Sequence, residues 1–277
     1  MNAQGLSLTV AARPENLAVI RQALAGYAEA MGFDSGAIAD LKTVVTEACM
    51  NVVVHAYPED ATGPLEVNAY PHETGVEISV RDEGSGFRPR PAEPGDPGLR
   101  LGLPLIATLS DQFEIRGGHA GTEVRMILHH ARNGGPAEEE PEERPTAATA
   151  TAEGTVMSIA AGAFVRPVLA RVIGALAARA DFSVDRLSDT ILIGDAVSAH
   201  DAADFADATV GISIVAGDGR LDVRVGPLVE GGSERILAGL ELPGGASLRK
   251  LASEIEMERE ELPGGAPAEY LVVGIDR

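Results

Sequence analysis

Three polar side chains recur at four-residue intervals in the segment TEACMNVVVHAY, residues 46–57. They are Glu47, Asn51 and His55. On an α-helix this spacing places them along one side. A carboxylate at such a position can accept a proton, and an amide oxygen can bind a hard cation such as Mg²⁺. The segment therefore predicts a proton acceptor beside a metal ligand, although the polar flank of an ordinary surface helix has the same appearance.

An apolar stripe in the same segment predicts how this helix is packed. Four apolar residues recur at helical spacing: Leu41, Val45, Ala48 and Val52. At about 100° per residue, Glu47 and Asn51 lie roughly a quarter turn from the stripe. We expect both at the edge of the buried face. Cys49 is the only cysteine, so no intrachain disulfide and no all-cysteine metal site can form, and we expect it to be a small core residue.

A second group of residues follows a strand-like run at 75–82. Asp82 ends that run, and Gly84 and Gly86 follow it at two-residue intervals. An acid and glycines so placed suit a site where backbone approaches a ligand closely, although a plain glycine turn has the same pattern. The next residues, 88–100, are rich in proline and glycine, which predicts a mobile lid rather than regular structure.

The remaining pattern of the first half predicts helices and strands that could hold these residues. Residues 101–115 indicate a short helix followed by a strand, and Gly102 would let backbone amides at the helix start face an anion. We predict further strands at 6–12, 65–70 and 121–128, and a helix at 14–31 that Pro14 begins and Gly32 ends.

Four motifs in this order resemble the GHKL ATPase superfamily, which includes histidine kinases and DNA gyrase. They are Glu47-x-x-x-Asn51, Asp82-x-Gly84-x-Gly86, Gly102-Leu103 and Gly121-Thr122. The resemblance covers about residues 5–130. Two further features look like the branch of anti-sigma factor serine kinases: His55-Ala56-Tyr57 and Gly86-Phe87.

The resemblance implies roles for the residues that match the motifs. Glu47 would be the general base and Asn51 the Mg²⁺ ligand. Asp82 would accept a hydrogen bond from the adenine amino group of ATP, and Thr122 would support Asp82 through a hydrogen bond. Gly84 and Gly86 would shape the adenine pocket.

One motif departs from the pattern of the superfamily. The phosphate loop usually reads Gly-x-Gly-x-Gly-Leu, and here it reads GLRLGL over residues 98–103. Gly102 and Leu103 would close over the phosphates. Arg100 replaces the middle glycine, where it would restrict the loop, present a cation to the γ-phosphate, or simply be solvated.

Composition limits the partners and the compartment. The 277 residues suffice for one large domain or two ordinary ones, and 42 acidic against 22 basic side chains give a formal net charge of −20. This charge argues against broad attraction to nucleic acid or anionic membranes. No signal peptide and no membrane-spanning run is predicted. We therefore expect a cytoplasmic, bacterial-type protein without a nucleic-acid or membrane partner.

The second half repeats features of the first. Residues 133–153 are rich in Pro, Glu, Ala and Thr and predict a linker between domains at 1–132 and 154–277. GLSLTV at 5–10 matches GTVMSI at 154–159. Two further pairs keep the same offset of 149 residues: Phe33 with Phe182 and Asp40 with Asp189. We predict a second copy of the fold, with helices at 165–178 and 185–200 and strands at 210–215 and 220–225.

The second copy lacks the chemical residues of the first. Glu47 aligns with Ala196, or with Asp195 after a slip of one residue, and Asn51 with His200 or Ala199. The strand that should match the one before Asp82 ends in Gly226-Pro227, and no Asp-x-Gly-x-Gly follows it. We therefore expect ATP binding in the first domain alone.

Together these features predict an α+β fold, a two-layer α/β sandwich with a mostly antiparallel sheet, in tandem. The resemblance implies an anti-sigma factor that uses ATP and Mg²⁺ to phosphorylate a serine of an anti-anti-sigma (STAS-like) protein. The alternative is an ATP-binding switch that sequesters a partner without phosphoryl transfer. Relatives of this branch act as homodimers, so two copies in one chain predict an intrachain pseudo-dimer and a monomeric chain.

Overall fold

The chain divides into two compact units, within Ala3–Glu153 and Gly154–Arg277. The computed structural model describes residues 5–58, 61–85, 102–118, 121–130, 154–200, 202–206, 208–238, 248–262 and 266–277. The predicted lid at 88–100 and the predicted linker at 133–153 lie outside these residues. Within the described ranges, no helix is both long enough and apolar enough to cross a membrane.

In the described residues, the first unit is an antiparallel sheet with three α-helices. Its elements are β1 (Leu6–Ala11), α1 (Leu17–Ala30), α2 (Ser35–His55), β2 (Pro64–His72), β3 (Gly75–Asp82), α3 (Gly102–Leu109), β4 (Gln112–Gly118) and β5 (Gly121–His129). Neighbouring strands pair in the order β1, β2, β3, β5, β4, and every pairing is antiparallel. The predicted α+β class is confirmed, and each predicted helix and strand of this unit lies within a few residues of its expected range.

One face of this sheet is buried, as alternation along the strands predicts. A single row of paired residues crosses all five strands: Leu8, Val67, Val80, Val124 and Ile115. The first four are almost completely buried. Helix α2 packs on β3 and β5, so its position is set relative to the end of β3, where Asp82 lies.

Helix α2 has the buried stripe that the sequence predicts. The Asp34 carboxylate caps its start by accepting a 2.8 Å hydrogen bond from the Ala37 backbone N–H. The buried residues are Leu41, Val44, Val45, Ala48, Cys49 and Val52. Complete burial raises the pKa of the Cys49 thiol far above its usual range. Cys49 is thus an inert core residue, as expected.

The second unit is also an antiparallel sheet with helices. Its elements are β6 (Thr155–Ala160), α4 (Val165–Arg179), α5 (Val184–Ser198), β7 (Thr209–Gly217), β8 (Arg220–Leu228), α6 (Gly232–Ala238), α7 (Leu248–Leu251), β9 (Glu254–Glu261) and β10 (Pro267–Asp276). The strands pair in the order β6, β7, β8, β10, β9. One row crosses them through Met157, Ile212, Val225, Leu271 and Met257.

The internal order of this unit follows that of the first. In both units two helices separate the first strand from a hairpin, and the last strand pairs with the second strand of that hairpin. Ser183 caps α5 by accepting from the Arg186 N–H at 3.4 Å, and it lies 149 residues after Asp34, the cap of α2. The offset found in the sequence therefore also relates the starts of these two helices.

Candidate active site

The start of α3 lies against the polar side of α2. A β-carbon placed on Gly102 would be 3.0 Å from Glu47 Oε2 and 3.8 Å from both the oxygen and the nitrogen of the Asn51 amide. The structure therefore brings Glu47, Asn51 and the first residue of α3 together. A larger side chain at position 102 would intrude on the Glu47 carboxylate, so a glycine here keeps that carboxylate accessible.

Glu47 and Asn51 are partly buried, at the edge of the stripe that packs α2 on the sheet. This is the position that helical spacing predicts for them. His55, the third member of the series, is exposed at the last residue of α2. The Glu47 carboxylate and the Asn51 amide therefore share a partly buried environment, whereas the His55 imidazole is exposed.

Asp82 lies at the end of β3 and is almost fully buried, with 3% of its surface exposed. Its Oδ1 accepts a 2.8 Å hydrogen bond from the Gly84 backbone N–H. This bond closes a tight turn and fixes the orientation of the carboxylate, which can still accept further hydrogen bonds. A buried carboxylate of this kind can recognise a donor such as an exocyclic amino group.

Glycine is required at two positions around this turn. A β-carbon on Gly84 would collide with the carbonyl oxygen of Ala56, which follows α2. Gly121 has a φ of +110°, and a β-carbon there would collide with the carbonyl oxygen of Asp82. The turn that carries Asp82 is therefore wedged between the end of α2 and the start of β5.

Tyr57 ties this turn to the sheet. Its hydroxyl donates to the Pro64 carbonyl oxygen at 2.6 Å and accepts from the Glu83 backbone N–H at 2.9 Å. Burial raises the pKa of this phenol, and the carboxylates of Asp82 and Glu83 raise it further. The sequence marked Tyr57 only as part of the resemblance. Its role depends on backbone atoms of distant residues, which spacing along the chain does not indicate.

Replacing Tyr57 with phenylalanine should loosen the Asp82 turn. We expect Y57F to lower the free energy of unfolding by about 1–2 kcal/mol, because one hydroxyl serves two backbone groups. Nucleotide affinity should fall as well. Denaturant unfolding and a fluorescent-nucleotide titration measure the two effects. Y270F is the matched control, since it keeps the aromatic ring that lies 3.5 Å from the Arg224 guanidinium carbon. Equal stability of Y57F and the wild type would contradict the role of Tyr57.

Of the remaining candidate residues, the structure describes Thr122 and Leu103 but not Gly86 or Arg100. Thr122 follows Gly121 at the start of β5, one step beyond the paired residues Arg81 and Glu123, and so lies beside Asp82. Among the described residues no hydrogen bond joins their side chains, so the predicted support of Asp82 stays a prediction. Leu103 is half-buried on α3 beside Gly102. Gly86 and Arg100 lie outside the described residues.

The donor atoms present fit a hard cation that is held mainly by its nucleotide. In the described part of the chain, no three His, Cys, Asp or Glu side chains converge as a metal site. Mg²⁺ in nucleotide sites commonly keeps several waters and is bound through one or two protein oxygens and the phosphates. The Asn51 amide beside Gly102 can supply such an oxygen.

The matching positions of the second unit carry different chemistry. Ala196 lies as far after the cap Ser183 as Glu47 lies after Asp34, and it is completely buried. Val225 occupies the same place in the row of paired residues of the second sheet as Val80 does in the first. Asp82 lies two residues after Val80 along β3. Pro227, two residues after Val225 along β8, therefore corresponds to Asp82. A proline there offers no side-chain acceptor.

One buried carboxylate of the second unit, that of Glu269, already accepts hydrogen bonds from other residues of that unit. Glu269, on β10, is 6% exposed and accepts from the Ser233 backbone N–H and the Arg259 guanidinium, both at 3.3 Å. Burial opposes ionisation of Glu269, but hydrogen bonds from the backbone of Gly231 and Ser233 still hold its pKa below the usual range. This carboxylate anchors α6 and is not oriented by a turn such as that of Asp82.

Comparison with known proteins finds similarity to a family of ATPase domains and to serine-protein kinases. Residues 10–128 match the family described as a histidine kinase-like ATPase domain. The serine-protein kinase RsbW of Bacillus subtilis (strain 168) is 36% identical over 140 residues, which span 46% of this chain and 87% of the relative. RsbW of Bacillus licheniformis is 37% identical over 117 residues, which span 38% of this chain and 73% of the relative.

A solved structure with some likeness contains the RsbU and RsbW domains of a Mycobacterium tuberculosis protein. The two chains are 24% identical, with a TM-score of 0.38. The match covers 48% of this chain and 34% of the other.

Proposed function

This chain belongs to the family of RsbW serine-protein kinases, and on that premise we propose that its first unit transfers the γ-phosphate of ATP to a serine of a STAS-like anti-anti-sigma protein. The observation that carries the proposal is the contact of α3 with α2, which brings Glu47, Asn51 and Gly102 together. Phosphoryl transfer needs a proton acceptor, a metal ligand and backbone amides near the phosphates, and this contact supplies a candidate for each.

The adenine end of the nucleotide belongs at Asp82. In our proposal the carboxylate accepts a hydrogen bond from the adenine amino group, while Gly84 holds the carboxylate in place. The turn also touches Ala56, just after α2, so α2 joins the adenine end to the phosphate end. Gly86, Arg100, Leu103 and Thr122 complete the proposed ATP-binding set.

Asn51 is the proposed ligand of Mg²⁺. When bound, the ion would neutralise charge on the β- and γ-phosphates. The chain's own contribution is to hold the amide oxygen beside the N-terminus of α3, whose first backbone N–H groups are free of helical partners and can face phosphate oxygens.

Glu47 acts as the general base in this proposal. The serine oxygen forms a bond to the γ-phosphorus, the bond from that phosphorus to the β–γ bridging oxygen breaks, and ADP leaves. The serine proton passes to the Glu47 carboxylate. The position of Glu47 at the edge of the buried stripe suits this task, because the carboxylate is held by a packed helix yet is open to an incoming hydroxyl.

We also propose that the chain sequesters a sigma factor, as the anti-sigma branch does, and that it works in the cytoplasm, where ATP and sigma factors are present.

A transfer assay tests the kinase proposal. The full chain is incubated with Mg²⁺, ATP labelled at the γ-phosphate, and each STAS-like protein of the source genome. Label on a serine of one of them is expected. Retention of a partner without label on any of them would favour the ATP-dependent switch.

The second unit is proposed to be a degenerate copy of the first that has lost nucleotide chemistry. Its strand order and the helix cap at Ser183 support common descent of the two units. Ala196 and Pro227 stand where Glu47 and Asp82 stand in the first unit. A copy that keeps its core without its chemistry is expected if it survives as a scaffold. We propose that it pairs with the first unit as a second subunit would, which makes the chain an intrachain pseudo-dimer.

The pseudo-dimer predicts a monomeric chain whose halves stay together. Two units joined through about 20 residues have an effective concentration near the millimolar range, which favours intrachain over interchain pairing. Light scattering should therefore give the mass of one chain. If a protease site is inserted within residues 133–153, the cleaved halves should elute together. Separate elution would indicate independent units, and a chain of twice the mass would contradict the pseudo-dimer.

A further inference from the structure

Two large apolar side chains are exposed on α2 close to Glu47. In the described part of the first unit, the exposed large hydrophobic residues are Met50, at 37%, and Val54, at 57%. They lie one helical turn apart. Three others occur in the described part of the second unit, and each is alone on its element: Ile191, Val215 and Met257. Single exposed apolar residues are ordinary, so what distinguishes Met50 and Val54 is that they adjoin each other on the helix that carries Glu47.

The two residues continue the side of α2 that carries the proposed base. Thr43, Glu47, Met50 and Val54 follow at intervals of four, three and four residues, which is the spacing of one helix face. At 1.5 Å per residue, Met50 and Val54 lie roughly 4.5 and 10.5 Å along the axis from Glu47. A molecule that reaches Glu47 from solvent therefore meets these two side chains.

Two threonines near these side chains use their hydroxyl groups in hydrogen bonds within the helix. The Thr43 hydroxyl donates to the Ala39 carbonyl oxygen at 2.9 Å, and the Thr46 hydroxyl donates to the Lys42 carbonyl oxygen at 2.6 Å. Their protons are thus committed to the helix itself. Met50 and Val54 therefore add exposed apolar surface next to the Glu47 carboxylate.

We propose that Met50 and Val54, here called the α2 patch, form the docking surface for the protein whose serine is phosphorylated. The inference rests on the proposed function, because it takes Glu47 as the base. A serine hydroxyl must come within about 3 Å of that carboxylate. A folded partner that covers about 800 Å² of this chain cannot place its serine there without also covering one or two turns of α2.

The chemistry of the patch identifies the surface that fits it. On the partner protein, apolar side chains would lie near the acceptor serine. They would contact Met50 and Val54, which lie about one and two helical turns from Glu47 on α2. Methionine is enriched in the buried centres of interfaces, and its flexible thioether adapts to an uneven partner surface. The α2 patch would then set which serine proteins are accepted, while Glu47 acts on any hydroxyl that is delivered.

A second copy of this chain is the rival occupant. A copy bound over Met50 and Val54 would also cover Glu47, which lies on the same face, and would exclude the acceptor serine. A surface that must open at every turnover suits a transient substrate better than a permanent subunit. The α2 patch is therefore assigned to the acceptor protein.

The double variant M50Q/V54Q tests the assignment. Both side chains are exposed and glutamine has a good helix propensity, so the fold should be retained. The probe is the set of STAS-like proteins used in the transfer assay. We expect the KM for the accepted protein to rise about tenfold, which corresponds to about 1.4 kcal/mol of lost contact. The kcat at saturation and the affinity for ATP should stay at wild-type values. I191Q, an equivalent change at an exposed position of α5, should change none of these three quantities.

The other possible outcomes distinguish a failure of the docking proposal from a failure of the kinase proposal. An unchanged KM in M50Q/V54Q would overturn the α2 patch and leave the kinase proposal standing. If the wild type labels no STAS-like protein, the proposed function fails, and fluorescence anisotropy with Mg²⁺ and ADP then shows whether the same proteins bind in a patch-dependent way. Absence of binding overturns both proposals. A wild type that is dimeric by light scattering while M50Q/V54Q is monomeric would assign the patch to a second copy instead.

Discussion

Replacing Glu47 with glutamine should remove phosphoryl transfer and leave nucleotide binding almost unchanged. A general base contributes roughly 10²–10⁴-fold to a rate, so kcat should fall by about that factor. Glutamine has nearly the same size and keeps one oxygen, so the packing of α2 and its contact with Gly102 should persist. Labelled transfer to the STAS-like acceptor measures the rate, and a nucleotide titration measures affinity.

The control for E47Q is D40N on the same helix. Asp40 lies two turns before Glu47 on α2 and is not among the residues that a β-carbon at Gly102 would meet. D40N removes one negative charge from the helix without changing the proposed base, so its kcat should equal that of the wild type. If E47Q transfers phosphate at the wild-type rate, Glu47 is not the base.

The second large effect is expected at Asp82. D82N replaces a buried acceptor by an amide that presents both an oxygen and an NH₂ group. The amide oxygen can keep the hydrogen bond from Gly84, which leaves the NH₂ group facing the adenine amino group, donor against donor. Since a hydrogen bond to a charged group is worth about 1.5–3 kcal/mol, affinity for ATP should fall by about 10- to 150-fold.

The neighbouring carboxylate provides the control for D82N. Glu83 is exposed, and its backbone N–H donates to the Tyr57 hydroxyl, a bond that E83Q leaves in place. E83Q should therefore bind ATP as the wild type does. A D82N chain that binds ATP with normal affinity would show that the adenine group is recognised elsewhere. Loss of affinity in E83Q as well would indicate a general effect of charge rather than a specific contact.

Helix α2 could be predicted from the sequence almost completely, because its determinants are local. The cap at Asp34 and the spacing of Leu41, Val45, Ala48 and Val52 set its start, its length and its buried side. The same spacing placed Glu47 and Asn51 at the edge of the core. In contrast, the contact of Gly102 with Glu47 joins distant parts of the chain, and only the order of the motifs suggested it.

The requirements at Gly84 and Gly121 show a different limit of the sequence. For Gly84 the pattern indicated close approach to a ligand, and the structure adds a close approach to the backbone of Ala56. Gly121 was marked only as part of the resemblance, and the structure shows that it approaches the backbone of Asp82. Tyr57 likewise acts on carbonyl and amide groups of other segments. Such contacts depend on how the elements pack, so residue type and spacing alone do not reveal them.

The second unit was harder to predict toward its C-terminal end. The offset of 149 residues placed β6, α4 and α5, and the hairpin of β7 and β8 followed from alternation. Helix α6 and the use of Glu269 to anchor it had no counterpart among the motifs of the first half. The proposed repeat has no shared motifs in this part, so an alignment of the two halves has no fixed points there. The apolar rows of a sheet tolerate many residue types and leave little trace in the sequence.

The count of nucleotides bound per chain tests most directly the claim that the first unit alone holds a working site. Calorimetric titration of the full chain with an ATP analogue that cannot transfer phosphate, in the presence of Mg²⁺, gives this number without knowledge of any partner. The account predicts one nucleotide per chain, because Asp82 and Glu47 have counterparts in Pro227 and Ala196 that cannot serve. Two nucleotides per chain, or none, would contradict it.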